Sequence, residues 1–278
     1  MSLAAVSAIS GMPDTLHAEW TKLRTLASTF WLLAGTVVVT VALGVAAVAA
    51  ASCVPGSCAA AQTGADLAKL SLTGVQAGQA VVAVIGVLAI SEEYGTGMIR
   101  VTLAATPRRL SVLAAKAALA GGLVLAAGAA GVIASLLAGR LILPGHGFTA
   151  ANGYPPLSVG YGPDLRAACG SVLYLALVAL LALGIATAVR ESAVAIGLVL
   201  GLLYLWPVIV SVIGNPTWHR HLEQASPMTA GLYVQATVGL RALPLSPWQG
   251  LGVTALWATS ALLLGAALLH LRDQGSSP

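Results

Sequence analysis

The sequence predicts an all-α integral membrane domain with six transmembrane helices, an N-terminal amphipathic interface helix and both termini on the cytoplasmic face. Three observations carry this. Only 8% of the 278 residues are charged and 58% are apolar, against about 25% and 45–50% in soluble domains. The mean hydropathy is +0.91. Six stretches, about 30–51, 70–90, 112–139, 167–189, 193–213 and 249–271, each supply the roughly 20 apolar residues that cross a hydrocarbon core of about 30 Å. So few charges cannot cover a globular surface, so most of it must face lipid. Ala, Leu, Val and Gly dominate these stretches, which favours helices over the alternating strands of an outer-membrane barrel. Residues 1–278 read as a single transmembrane domain.

In chain order, residues 13–29 (PDTLHAEWTKLRTLAST) come first. Leu16, Trp20, Leu23 and Ala27 recur at helical spacing, while His17, Glu19, Lys22 and Arg24 occupy other faces. Such a helix lies in the membrane interface with Trp20 at the headgroup level. It anchors the chain, and in a sharper reading it is also a docking surface. Lys22 and Arg24 ahead of an apolar run ending AVAAAS imitate a signal peptide. That run is about 22 residues, beyond the 7–15 of a signal core, so the first span is expected to be retained.

Cys53 and Cys58 bracket a Pro-Gly turn (CVPGSC) in the first outer loop, where oxidation is permitted. A short disulfide is one reading, and two small residues in a tight loop is the other. Cys169, at the start of the fourth span, is expected to be a small buried residue. Gly74 and Gly78 in the second span, and Gly197 and Gly201 in the fifth, are small-x-x-x-small pairs that permit close helix packing. Packing within the chain and a seam with a second copy near the first and fifth spans explain them equally well.

Charge concentrates between the second and third spans, in SEEYGTGMIRVTLAATPRR at 91–109. Gly95 and Gly97 break the helix leaving the membrane. IRVTLAA can form a short helix, and Thr106 with Pro107 reads as the cap and first position of the third span. Arg108 and Arg109 then stand at a helix N-terminus, where the macrodipole disfavours cations. Lipid phosphates or an acidic protein partner must offset that.

The outer loops 140–168 and 214–248 are long and rich in Gly, Pro and aromatic residues. Within the second, MTAGLYVQATVGL at 228–240 is too short to cross, and suits a half-helix or re-entrant segment before the last span. His219, His221 and Glu223 (WHRHLE) are the one metal-like cluster. Their spacing matches no recognised ligand pattern, so they read as an amphipathic loop rather than a metal site.

The spans carry few polar groups: Gln76, Gln79, Ser135, Tyr174, Thr187 and Tyr204. Ion-coupled carriers bury ionisable residues at mid-membrane, so that class is disfavoured. There is no G-x-x-x-x-G-K-[ST] phosphate loop, no H-E-x-x-H, no G-x-S-x-G and no S-x-x-K. No catalytic residue or cofactor site is expected in this chain, so active transport would draw its energy from a partner. With both termini inside, the cytoplasmic side carries Lys22, Arg24, Arg100, Arg108, Arg109, Lys116, Arg190 and Arg272, and the other side carries Lys69, Arg140, Arg166, Arg220 and Arg241. This bias follows the positive-inside rule. The net charge of +4 fits anionic membrane lipid and gives no reason to invoke nucleic acid.

The run Glu92-Glu93-Tyr94-Gly95-Thr96-Gly97-Met98-Ile99-Arg100-Val101-Thr102-Leu103, closing on Pro107-Arg108-Arg109, resembles the loop after the second span of type-2 ATP-binding-cassette (ABC) exporter permeases. Gly-Thr follows Tyr94 one or two residues earlier than in that family's pattern. AEWTKLRTLASTFW resembles the lead-in of actinobacterial members, and the last span, ending at Arg272 and Asp273, resembles theirs. The resemblance implies a multi-pass permease of the bacterial plasma membrane that pairs with a second copy or a paralogue. It also implies separate ATPase subunits that hold ATP and Mg, with Glu92 to Leu103 as the coupling contact and the 13–29 helix beside it. A non-transporting scaffold or sensor binding a soluble partner through the same loop is the alternative.

Overall fold

The structure is a computed structural model, and it describes residues 27–52, 65–95, 109–158 and 160–274. These residues form helices and turns, with no strand among them. In order, α1 spans Ala27–Ala50, α2 Leu67–Ser71, α3 Val75–Gly95 and α4 Arg109–Ile142. Then follow α5 Gly162–Val189, α6 Ser192–Ser211, α7 Pro216–Ala225, α8 Pro227–Leu232 and α9 Pro247–Gln274.

Five helices, α1, α4, α5, α6 and α9, are long and apolar enough to cross a membrane. The second expected span, 70–90, is displaced. Asp66 caps a short α2, the chain bends at residues 72–74, and α3 begins only at Val75. The apolar part of α3 is Val75–Ser91, shorter than the other five. The bend falls where Gly74 meets α1: a Cβ there would collide with the Thr40 carbonyl, so only glycine permits this approach. The other five expected spans match their helices to within a few residues.

α5 is the centre of the bundle, with α3, α4, α6 and α9 around it; α1 packs outside α3 and α4. Buried residues make up 61% of the apolar stretch of α5, against 22% for α1, α6 and α9. The remaining faces of those three helices point away from the rest of the bundle. Tyr174, Leu175, Val178, Leu181 and Leu183 of α5 are fully buried. Gly184 and Gly265 let α5 and α9 touch backbone to backbone. Cys169, expected to be buried, is an exposed free thiol on α5. Its neighbours Ala167, Ala168 and Gly170 take the inward face.

Sequence explains the local breaks. The turn between α5 and α6 is only two residues: Arg190 in the left-handed region (φ 65) closes α5, and the Glu191 carboxylate accepts from the Ala193 and Val194 amides to open α6. A π-helical turn at Gly201–Leu205 interrupts α6 just before Pro207. Proline removes an amide donor and crowds the carbonyl four residues back, and the wider turn relieves both. The helix order sets two ends. Residues 51–52, 65–66, 143–158, 160–161 and 212–246 gather at one, the loop end. The ends of α3, α5 and α9 and the starts of α1, α4 and α6 gather at the other, the hairpin end.

Candidate functional site

The most elaborate polar construction lies at the loop end. Ser226 caps α8, with Pro227 in its first turn; after Leu232 the chain tightens into a 3-10 turn at Tyr233–Gln235 and becomes extended at Ala236. This broken half-helix is buried between α5 and α9. Gly231 faces the Tyr174 ring and the Thr254 hydroxyl so closely that a side chain could not fit, and Gly250 of α9 likewise meets the Ala230 carbonyl. The expected half-helix at 228–240 is thus present as an inserted segment, 226–238.

Named side chains hold it. The Thr254 hydroxyl donates to the Pro227 carbonyl (2.9 Å), Gln235 Nε2 to Ser171 Oγ (3.1 Å) and Arg166 Nη2 to the Ala236 carbonyl (2.6 Å). Asp66 receives four bonds. Its Oδ1 accepts from the Lys69 amide (3.0 Å) and the Thr237 hydroxyl (2.8 Å), and its Oδ2 from the amides of Thr237 and Val238. One carboxylate therefore caps α2 and clamps the far end of the inserted segment.

Over this segment lies α7, opened by Asn215 as cap and Pro216 in the first turn. Trp206 Nε1 donates to the Leu222 carbonyl (3.0 Å) and Trp257 Nε1 to the Ala225 carbonyl (2.9 Å), and the two indoles meet edge to face at 6.3 Å. His219 Nδ1 lies 3.0 Å from the Val210 carbonyl, and its Nε2 is 4.0 Å from Glu223. Glu223 also accepts from the Tyr233 hydroxyl (2.6 Å). Burial, then the Glu223 carboxylate, pushes the Tyr233 hydroxyl well above the usual phenol range. The cluster WHRHLE is thus a helix pinned to the bundle, with His219 and Glu223 engaged by protein groups.

Below the segment runs a short polar row between α3, α5 and α6. The Tyr174 hydroxyl donates to Gln79 Oε1, and the Tyr204 hydroxyl to the Gln76 carbonyl. Gln79 is fully buried, and its amide lies toward the Tyr204 hydroxyl without forming a well-aligned hydrogen bond to it. A neutral amide donor in an apolar bundle can hold a carbonyl or hydroxyl oxygen, and it can do no acid–base chemistry. Ser135 and Thr187 bond to backbone carbonyls instead, the first to Thr40 across α1 and the second within α5.

At the hairpin end, Glu92, Glu93, Tyr94 and Gly95 belong to the last turn of α3, and Arg109 opens α4. Lys116, only 6% exposed, donates from Nζ to the Ala89 carbonyl (3.0 Å) and so ties α4 to α3. Thr96, Gly97, Met98, Ile99, Arg100, Thr102, Leu103, Pro107 and Arg108 lie outside the described residues. So do Cys53 and Cys58, and Leu16, Trp20, Lys22, Leu23 and Arg24 of the interface helix. Gly78 faces the Thr40 hydroxyl of α1, as Gly74 faces its carbonyl. Gly197 and Gly201 have no neighbour within 4 Å of a Cβ position and leave that face of α6 open.

Asp66, Arg166, Gln235 and Thr237 were not predicted as site residues. Only the Asp-Leu-Ala-Lys pattern at 66–69 signals one of them, as a helix cap. Scans against protein families and against curated proteins find no match to this chain.

Proposed function

We propose that this chain is the membrane-spanning permease subunit of an ATP-driven exporter. In this reading α1, α3, α4, α5, α6 and α9 are six spans, and the hairpin end faces the cytoplasm of a bacterial cell. The cargo is hydrophobic or amphipathic: a drug, an antibiotic, a lipid or a peptide. A second copy or a paralogue completes the permease, and separate ATPase subunits supply energy through the segment 91–109. ATP closure on the partner would shift the population of bundle conformations through that lever.

The observation that carries the reading is the segment SEEYGTGMIRVTLAATPRR, which joins α3 to α4 and combines paired acids, helix-breaking glycines and clustered arginines in a chain that otherwise avoids charge. The Lys116 to Ala89 bond supports it, because two helices tied at their shared end transmit a push on their connection together. The open face of α6 at Gly197 and Gly201 suits a second permease copy. The inserted 226–238 segment suits a re-entrant element on the outer side, and non-helical backbone at that depth is tolerated only inside protein.

Affinity purification of the full chain in mild detergent, followed by identification of bound proteins, tests this reading. A nucleotide-binding ATPase should co-purify, and vesicles holding both should move cargo only with ATP. Recovery of a soluble non-ATPase partner on the same segment would favour the scaffold or sensor alternative instead.

A further inference from the structure

The end of α4 and the loop after it enclose a cavity of about 180 Å³. Leu67, Leu143, Phe148 and Leu157 line it, and all four are buried. The loop is built to hold this shape. Leu143–His146 form a 3-10 turn that Gly147 ends in the left-handed region (φ 89). The Phe148 and Tyr154 rings meet edge to face at 5.2 Å, and Asn152 Nδ2 donates to the Gly147 carbonyl (2.7 Å).

Arg140 stands at this cavity and also at a smaller neighbouring cleft that includes Ser158 and Asp164. Its side chain is exposed and makes no ion pair or hydrogen bond among the described residues. Tyr154 also lines the cavity, and its hydroxyl has no hydrogen-bond partner among the described residues. Leu137 and Leu141, on either side of Arg140 along α4, are 51% and 80% exposed, so α4 presents an apolar face to lipid here. α4 ends one residue later and the Pro-Gly turn follows. Arg140 therefore marks the level at which the lipid-facing surface stops. An unpaired cation at that level, beside an apolar hollow, matches an amphiphile with an anionic head and an aliphatic chain.

We propose that Arg140 and the 143–157 loop form a binding site for an anionic phospholipid of the leaflet at the loop end. The phosphate meets the Arg140 guanidinium, and the upper part of one chain enters the hollow lined by Leu67, Leu143, Phe148 and Leu157. This rests on the chain lying in a bilayer and is independent of what it exports.

The test measures lipid retained by the purified full chain from mixed phosphatidylglycerol and phosphatidylcholine, counted by mass spectrometry. The protein should retain phosphatidylglycerol preferentially. Arg140→Gln should lower that retention about fivefold, the ratio expected for one cation at a membrane surface. Thr149→Phe, which fills the hollow from its lining, should lower it as well. Arg220→Gln, an exposed cation of α7 at the same end, should leave it unchanged. Equal retention of the two lipids overturns the proposal. So does an Arg140→Gln protein that behaves as the parent, an equal fall in Arg220→Gln, or full retention by Thr149→Phe.

Discussion

Asp66 and Thr237 are 171 residues apart, yet the Asp66 carboxylate accepts both the amide and the hydroxyl of Thr237. The same carboxylate caps α2 and accepts the Val238 amide. It is the joint between the start of the second helical unit and the segment inserted between α5 and α9. Asp66→Ala leaves three donors of that segment's end without an acceptor. It should lower the unfolding free energy by about 2 kcal/mol, the scale of hydrogen bonds to a charged group. Thr237→Val removes only the hydroxyl bond and should cost about 1 kcal/mol. Thermal unfolding in detergent, with protease sensitivity of the 239–246 loop as a local readout, measures both.

Glycines at tight and open positions should respond in opposite ways. Gly231→Ala drives a methyl into the Tyr174 ring and the Thr254 hydroxyl. Overpacking of this kind typically costs about 1–3 kcal/mol. Gly197→Ala meets nothing within 4 Å and gains helix propensity, so it should be neutral or stabilising by up to about 1 kcal/mol. If that face of α6 seats a second copy, Gly197→Leu should weaken dimers on size-exclusion chromatography without lowering monomer stability.

The Gln79 and Tyr174 side chains are each other's partner inside the bundle. Tyr174→Phe strands the Gln79 carbonyl oxygen and should cost about 1–3 kcal/mol. Gln79→Leu strands the Tyr174 hydroxyl by the same amount. The double variant removes both halves and should cost less than the sum, a coupling that a double-mutant cycle reads directly. Strict additivity would show that the contact contributes nothing.

Tyr233 gives the loop end a pH dependence. Burial and the Glu223 carboxylate raise its pKa in the folded protein above the phenol value of 10.0. A raised pKa means that the folded state holds the proton more tightly. Its stabilisation is therefore complete below about pH 10 and is lost as pH rises through the folded value. Alkaline titration followed by unfolding should show this loss in the parent and not in Tyr233→Phe.

For the proposed coupling segment, Glu93→Ala or Arg100→Ala should lower cargo-stimulated ATPase activity of the reconstituted complex while membrane insertion is unchanged. Unaltered coupling in both variants would remove the segment from the mechanism.

Much of the fold was legible because lipid is a demanding solvent. A span must be apolar along its whole length and must satisfy its own backbone, so composition alone marks it. The helices α1, α4, α5, α6 and α9 were readable for that reason. The bend at 72–74 was not readable. It depends on Gly74 closing onto Thr40, a contact between helices that leaves no local pattern. Cys169 was misjudged for a related reason: in a helix apolar all round, no periodicity tells the buried face from the lipid face.

The sequence by itself determined that this is a helical, multi-pass chain with few charges, because insertion and helicity are set residue by residue against lipid and water. Tertiary structure decided which few polar atoms meet. Asp66 finds Thr237, Gln235 finds Ser171 and Lys116 finds Ala89 only once the helices are packed. Each pair is distant in sequence, and in a low-dielectric interior an unmatched polar group is costly enough to fix its partner.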